Sequence, residues 1–405
     1  MKKKCFSVLL AMVLTVTALA GCGGSKDSGE TSKAVENTSE AAEGGEETTG
    51  GEGAFKIGGI GPVTGDTAIY GLAVQNGMTI AIDEINAAGG INGYQIEMKF
   101  EDDQSDPELS INAYNTLKDW GMQMLLGTVT SGACEAVVAE TYEDNMYQIT
   151  PSGTSVAAIQ YENAFRMCFS DPAQGAESAK YIKNNNLGTK VAVIYDSSDT
   201  YSSGIYQAFA QEAQTQGLEI VAAESFTADT NTDFSVQVQK AKDAGADLVF
   251  LPIYYQEASL ILAKANEIGY APQFFGCDGM DGLLTLENFD VSLAEGLMLM
   301  TPFSADAEDE LTKNFVAKYQ EDYGEIPNQF AADAYDAAYV IKAAAEQAKI
   351  TPDMDASAIC DALKTAMTEI SYTGLTGHDI TWGEDGEPTK EPIVVKITDG
   401  AYEFM

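Results

Sequence analysis

The stretch FKIGGIGPVTGDTAIYGLAVQNGMTIAIDEINAAGGING, residues 55–93, holds a complete strand–turn–helix unit. Phe55–Ile60 is a short apolar run that reads as a strand, and Gly61-Pro62-Val63-Thr64-Gly65 reads as the turn after it. Val74, Met78, Ile82 and Ile85 then recur on one helical face, and Gly89-Gly90 supplies a C-terminal stop. The beat continues downstream. Tyr94–Phe100 predicts a strand, Asp106–Trp120 a helix and Met122–Leu126 a buried strand. Strands at Val191–Tyr195, Ile220–Ala223, Leu248–Pro252 and Gln273–Cys277 then alternate with helices near Tyr201–Gln216, Phe234–Ala244 and Glu257–Ile268. Strands alternating with helices predict an α/β protein with parallel sheets covered on both faces.

The pattern runs too long for one sheet, and Phe169-Ser170-Asp171-Pro172 reads as a break. After Met300 the character changes, with helices expected near Glu308–Tyr323, Gln329–Ala348 and Ala356–Thr368 in succession. Strand-like Ile380–Trp382 and Pro392–Ile397 close the chain around the turn Glu384-Asp385-Gly386. No repeat of solenoid period is present.

Upstream of the quoted unit, Lys2, Lys3 and Lys4 precede an apolar run from Phe6 to Ala20, the pattern of a secretory signal. The run is short for a permanent membrane span. Leu19-Ala20-Gly21-Cys22 resembles the lipobox of bacterial lipoproteins. That resemblance implies a signal peptide at residues 1–21 and lipidation of Cys22, which anchors the chain at the extracytoplasmic face of a cell membrane without spanning it. Residues 22–54 then form a linker. From Gly23 to Gly53 it holds one Val and no aromatic, too little apolar surface to offset the entropy of ordering.

After cleavage roughly 350 residues remain, enough for two domains with separate cores. The whole chain has a formal charge of −40, and removal of the three lysines before Cys22 makes it −43. A surface this acidic repels phosphate backbones and excludes nucleic acid as a partner. Arg166 is the only arginine. Beyond Cys5 and Cys22, the cysteines Cys134, Cys168, Cys277 and Cys360 show no C-x-x-C spacing, which argues against structural zinc. They leave room for one disulfide in an oxidising compartment or for four buried thiols.

Several motifs occur in order: Ile57–Gly71, the INAAGGING run Ile85–Gly93, Asp102-Asp103 followed by Asp106-Pro107, GTVTSG at Gly127–Gly132, YQITPSGT at Tyr147–Thr154 and NTDF at Asn231–Phe234. Together they resemble the leucine/isoleucine/valine-binding proteins, type I periplasmic binding proteins of branched-chain amino-acid ABC importers. The resemblance covers nearly everything from Phe55 onward. It implies two doubly wound α/β domains joined by three hinge crossings near Asp171, Pro302 and Thr376. Lobe one would hold residues 55–171 plus 303–376, and lobe two residues 172–302 plus 377–405. The expected function is capture of an amino acid, branched-chain or of similar apolar or aromatic kind, for the permease and ATPase subunits of an importer. The same family also binds amides, urea and aromatic acids, and the same fold serves ligand sensors.

A zwitterionic ligand needs donors for its carboxylate and acceptors for its ammonium. Ser131 precedes the helical pattern Ala133–Tyr142 at an N-cap position, and Thr154 leads from a strand into another expected helix start. Helix N-termini offer free N–H groups and favour a carboxylate. The resemblance implies carboxylate binding at Ser131 and Thr154 and a backbone carbonyl towards the ammonium at Ser152. It also implies an ammonium-pairing acid at Asp278, where many relatives carry Glu. Tyr70, Tyr201, Tyr254 and Phe330 match aromatic positions of the family cleft, with Tyr255 as the register alternative to Tyr254. A disulfide of some relatives meets Ser105 and Thr130 here and has no cysteines to form it.

Enzyme chemistry finds little support. The chain has no G-x-S-x-G elbow and no G-x-x-x-x-G-K-[ST] loop, and its one histidine, His378, sits in a loop pattern. Gly59-Ile60-Gly61 falls out of the dinucleotide spacing, and the acid-rich segments Asp102–Glu108 and Asp306–Glu310 lack calcium-loop spacing. No cofactor and no metal are expected.

Overall fold

The computed structural model describes residues 53–405, so the signal, Cys22 and nearly all of the linker lie outside the described residues. The first sheet is built from β1 (Ala54–Gly61), β2 (Gln95–Asp102), β3 (Met124–Gly127), β4 (Tyr147–Thr150) and β5 (Ala164–Arg166). Its order is β2-β1-β3-β4-β5 and every pairing is parallel. Its crossover helices are α1 (Ala68–Ala87), α2 (Pro107–Trp120) and α3 (Ser131–Glu143). Strands β3 and β4 are buried along their whole length; β3 is accordingly a continuous apolar run, whereas β4 carries Gln148 and Thr150, both hydrogen-bonded inside.

The second sheet takes β6 (Lys190–Asp196), β7 (Glu219–Phe226), β8 (Leu248–Leu251), β9 (Gln273–Gly276) and β10 (Met298–Thr301), then β11 (Ile393–Thr398) and β12 (Ala401–Phe404). Its order is β12-β11-β10-β9-β8-β6-β7. Helices α4 (Asp171–Asn184), α5 (Thr200–Gln216), α6 (Ser235–Asp243) and α7 (Tyr255–Glu267) accompany it. The chain leaves this sheet after β10 for α8 (Glu310–Tyr323), α9 (Gln329–Ala348) and α10 (Ala356–Met367), then returns to it through β11.

Two expectations change. The sheets are not all parallel: β11 runs antiparallel to β10, and β12 antiparallel to β11. β12 follows β11 through the tight turn at Asp399-Gly400. Ile380–Trp382 is not a strand but carries isolated bridges from Ile380 to Tyr372 and from Trp382 to Pro388. Phe169–Pro172 falls between β5 of the first sheet and β6 of the second, and α4 starts there because a proline in the first turn forfeits no hydrogen bond.

Local chemistry sets the ends of these elements. Asp106 caps α2 by accepting from the N–H groups of Glu108 and Leu109 at 2.8 and 2.9 Å, and Gly121, in the left-handed region at φ 89°, ends it. Asn328 caps α9 by accepting from Ala331 N at 3.2 Å. Helices α1 and α9 pack backbone to backbone at Gly77, where an added Cβ would lie 2.1 Å from the Ala331 carbonyl oxygen. That close approach brings Tyr70 on α1 beside Phe330 on α9.

Candidate ligand-binding cleft

Open parallel α/β sheets place loops at the C-terminal ends of their strands, where ligands bind. Here the loop after β3 carries Val129, Thr130 and Ser131, and the loop after β4 carries Ser152. The loop after β8 carries Tyr254, and the segment after β9 carries Asp278 and Gly279. These residues, with Tyr70, Tyr201 and Phe330, line one small cavity between the two sheets. Of the eight residues expected at a site, seven line it: Tyr70, Ser131, Ser152, Tyr201, Tyr254, Asp278 and Phe330.

Thr154, the eighth, stands one layer behind and is fully buried. Its hydroxyl meets the Ser131 hydroxyl at 3.3 Å, and its carbonyl accepts from Arg166 Nη1 at 2.6 Å and from Asp171 N at 2.9 Å. The helix expected after it is a single 3-10 turn, Val156–Ile159, capped by Ser155 rather than Thr154. Ser131 likewise is the first residue of α3, and Thr130 is its N-cap. Thr130 supplies no side-chain cap, so the first N–H groups of α3 lack that partner at the helix end that borders the cavity.

The aromatic residues pack as pairs. Tyr70 lies against Phe330 with ring centroids 4.2 Å apart, and Tyr201 stacks on Tyr254 at 4.9 Å and 12°. Tyr254 lines the cavity, whereas Tyr255 meets Tyr70 edge-on at 5.1 Å and donates its hydroxyl to the Asp66 carbonyl at 2.7 Å. The Tyr70 hydroxyl donates to the Gly279 carbonyl and so ties α1 to the second sheet's side. Gln329 adds a second tie, donating Nε2 to the Asp278 carbonyl at 3.0 Å and its backbone N–H to Asp281 Oδ2 at 2.8 Å.

Asp278 is the chemical focus of the second sheet's wall. It is 4 % exposed and accepts from the Tyr201 hydroxyl at 2.7 Å. Burial pushes its carboxyl up to about 7, against hydrogen bonds from Tyr201, Gln174 and Gly279 that favour the anion, and nearby Asp333 adds repulsion. Asp171 is raised well above the usual carboxylate range, by burial first and by Asp278 among other charges. A buried carboxylate in this position is strongly disfavoured until a cation meets it.

Residues outside the expected set complete the site. Val129, Thr130 and Gly279 line the cavity, and the Thr130 hydroxyl is buried with no hydrogen-bond partner. Arg166, 1 % exposed, donates to the Gly153 and Thr154 carbonyls at 3.1 and 2.6 Å and pairs with Glu387 at 3.0 Å. It props the loop that presents Ser152. Its uniqueness in the composition was the one signal for it. Glu135 accepts from Ser155 Oγ at 2.5 Å and from Thr200 Oγ1 at 2.8 Å, linking α3 to α5 across the cavity mouth. All four described cysteines are free and buried.

The model of a family described as periplasmic binding protein matches residues 54–401. The chain belongs to this family. The Leu/Ile/Val-binding protein homolog 3 of Brucella melitensis is 32 % identical over 329 residues, 78 % of this chain and 86 % of the relative. A leucine-, isoleucine-, valine-, threonine- and alanine-binding protein of Pseudomonas aeruginosa is 31 % identical over 331 residues, 80 % of this chain and 86 % of the relative. The structure of the branched-chain amino acid transporter substrate-binding protein LivJ from Streptococcus pneumoniae, in complex with isoleucine, superposes with a TM-score of 0.79 at 29 % identity. That match covers 87 % of this chain and 98 % of the other. The two-sheet architecture is the type I periplasmic-binding-protein fold that these neighbours share.

Proposed function

We propose that this periplasmic binding protein is the extracytoplasmic substrate-binding lipoprotein of an ABC importer, and that it closes two lobes over an amino acid with a branched-chain or similar apolar or aromatic side chain. One observation carries the reading. A single cavity is lined by neutral hydroxyls beside the α3 N-terminus, by a buried carboxylate and by four aromatic rings. The first wall suits an anion and the second a cation, which is the charge pattern of an amino acid. The relatives' names point the same way, since the Streptococcus pneumoniae protein holds isoleucine.

In this reading Ser131 and Ser152 receive the ligand's polar end on lobe one, braced by Thr154 and Arg166. Lobe two then closes with Tyr201, Tyr254 and Asp278. Lobe boundaries near Asp171, Pro302 and Thr376 are supported by sheet membership, since β6–β10 and β11–β12 share the second sheet. The cavity volume is about 10 Å³, about that of one water, so the walls must part to admit an amino acid. The ligand then favours closure only through contacts that exist in the closed form. Lipidation at Cys22 would hold the closed form near permease and ATPase subunits.

Calorimetric titration with isoleucine, leucine, valine, phenylalanine and benzoate, paired with X-ray scattering, tests this reading. Saturable binding of at least one amino acid with compaction of the particle is the expected result. Binding of benzoate alone would remove the ammonium role of Asp278. Superimposable scattering curves with and without saturating ligand would remove hinge closure.

A further inference from the structure

Strand β5 is the outer strand of the first sheet, and the chain between α10 and β11 returns along its free side. The Gly386 carbonyl accepts from Arg166 N at 3.2 Å, and Trp382 Nε1 donates to the Arg166 carbonyl at 2.8 Å. Further along, the buried Lys390 Nζ donates to the Met167 carbonyl at 2.9 Å and to Asp333 Oδ1 at 2.6 Å. Residues 382–390 therefore form a strap fastened to the backbone at the end of β5. Its fit depends on Gly386, which lies in the left-handed region at φ 76° and where a Cβ would stand 2.2 Å from the Ala164 carbonyl oxygen.

The strap carries Glu387, whose Oε2 lies 3.0 Å from Arg166 Nε. The Nε–H is not aligned on an acceptor, so the contact is an ion pair rather than a directed hydrogen bond. Arg166 Nη1 meanwhile donates to the Gly153 and Thr154 carbonyls. That loop reaches the cavity wall through Ser155 N, which donates to Ser131 Oγ at 3.1 Å, and through the Thr154 hydroxyl, 3.3 Å from the same oxygen. A guanidinium is planar and rigid, so a carboxylate fixed beside Nε sets where Nη1 points. Glu387 thus governs the first wall from a segment of which no residue lines the cleft.

We propose that Glu387 is a positioning residue for ligand capture. Held by the strap, its carboxylate orients Arg166, and Arg166 fixes the Gly153-Thr154 carbonyls that keep Ser131 in register for the ligand's carboxylate. The inference rests on the reading that Ser131 receives that end of the ligand.

Hydrogen exchange and titration calorimetry with isoleucine on the full chain test it, the first without any ligand. Glu387→Gln should speed amide exchange in residues 153–157 and weaken isoleucine binding by about fivefold, the scale of a half-exposed ion pair. Gly386→Val should speed the same exchange and weaken binding by about tenfold or more, since it lifts the strap from β5. Glu384→Gln, at an exposed acid of the same turn, should leave both unchanged. Added to Ser131→Ala, Glu387→Gln should weaken binding little further, because both act through one hydroxyl. The pH at which affinity falls, set by Asp278 on the other wall, should stay in place in Glu387→Gln, whereas general loosening of the cleft would hydrate Asp278 and move it. The inference is overturned if exchange in residues 153–157 is unchanged, or if Glu387→Gln binds isoleucine as tightly as the unaltered protein. Full additivity with Ser131→Ala, or a displaced pH midpoint, would overturn it as well. Absence of isoleucine binding in the unaltered protein would instead bring down the reading of the cleft, and this assignment with it.

Discussion

The wall of the cleft built on the first sheet and the wall built on the second satisfy their polar groups in different ways. On the first, Ser152 donates to the Val129 carbonyl at 2.8 Å, and Ser131 accepts from Ser155 N at 3.1 Å while sharing a hydrogen bond with Thr154. Every group there is neutral, and only the Thr130 hydroxyl lacks a partner. On the second, Asp278 is ionisable and buried, and it accepts from the Tyr201 phenol. Neutral groups lose little by waiting in a closed cavity, because each already has a hydrogen bond and no charge to solvate. A carboxylate in the same place is held at a disadvantage that a ligand cation relieves. The comparison predicts that affinity and its pH dependence come chiefly from the second wall.

The sharpest way to break that contrast is Asp278→Ala. Affinity for an amine-bearing ligand should fall by about 2–5 kcal/mol in calorimetry, the range for truncating one partner of a buried charge pair. An unchanged constant would transfer the recognition to the first wall. The pH profile comes next. Asp278 is raised from 3.8 to about 7, so ligand affinity should be highest above neutrality and weaken below it, approaching about tenfold per pH unit. Without ligand the sign reverses: the folded state holds the extra proton, so this group's stabilising contribution is present at low pH and is lost as pH rises from about 4 through about 7. Asp278→Asn should flatten both profiles, and a persisting slope would assign the titration to Asp171 or another acid.

On the first wall, Ser131→Ala should weaken binding by about 1.5–3 kcal/mol if the hydroxyl donates to a charged carboxylate. A loss confined to thermal stability, with affinity intact, would reduce Ser131 to a brace for Ser155. The smallest effect is expected for Tyr70→Phe, which removes the hydroxyl's bond to the Gly279 carbonyl and the long one it accepts from Tyr255 N at 3.4 Å. Apparent affinity should drop by about 0.5–1.5 kcal/mol, with less compaction at a given ligand concentration in scattering. No change in either would mean that Tyr70 contributes its ring alone.

Much of the scaffold was legible because its signals are local. Continuous apolar runs bounded by turns marked β1, β3, β6, β8 and β9, helical spacing of apolar residues marked the buried face and the end of α1, and the expected helix Gln329–Ala348 coincides with α9. The family motifs then picked out seven residues that now line one cavity. What escaped has a common cause. Strand β12, at the sheet edge and largely exposed, has no apolar alternation to reveal it. Helix α4 carries only a weak apolar stripe behind Pro172, and so its start reads as a break in the pattern. The partnerless hydroxyl of Thr130 and the propping role of Arg166 depend on groups far apart in sequence.

The chain's order of residues by itself determined the alternation of strands and helices, the acidity that excludes polyanions, and the hydroxyl, aromatic and acidic residue types of the cleft. Periodicity, turn chemistry and net charge are properties of neighbours along the chain, so no folding is needed to read them. Only the tertiary structure decided that Thr154 stands behind Ser131, that Tyr254 rather than Tyr255 faces the cavity, and that β11 joins the second sheet antiparallel. Those outcomes depend on which buried groups find hydrogen-bond partners across long sequence separations, and burial is what makes an unpartnered group disfavoured enough to choose between them.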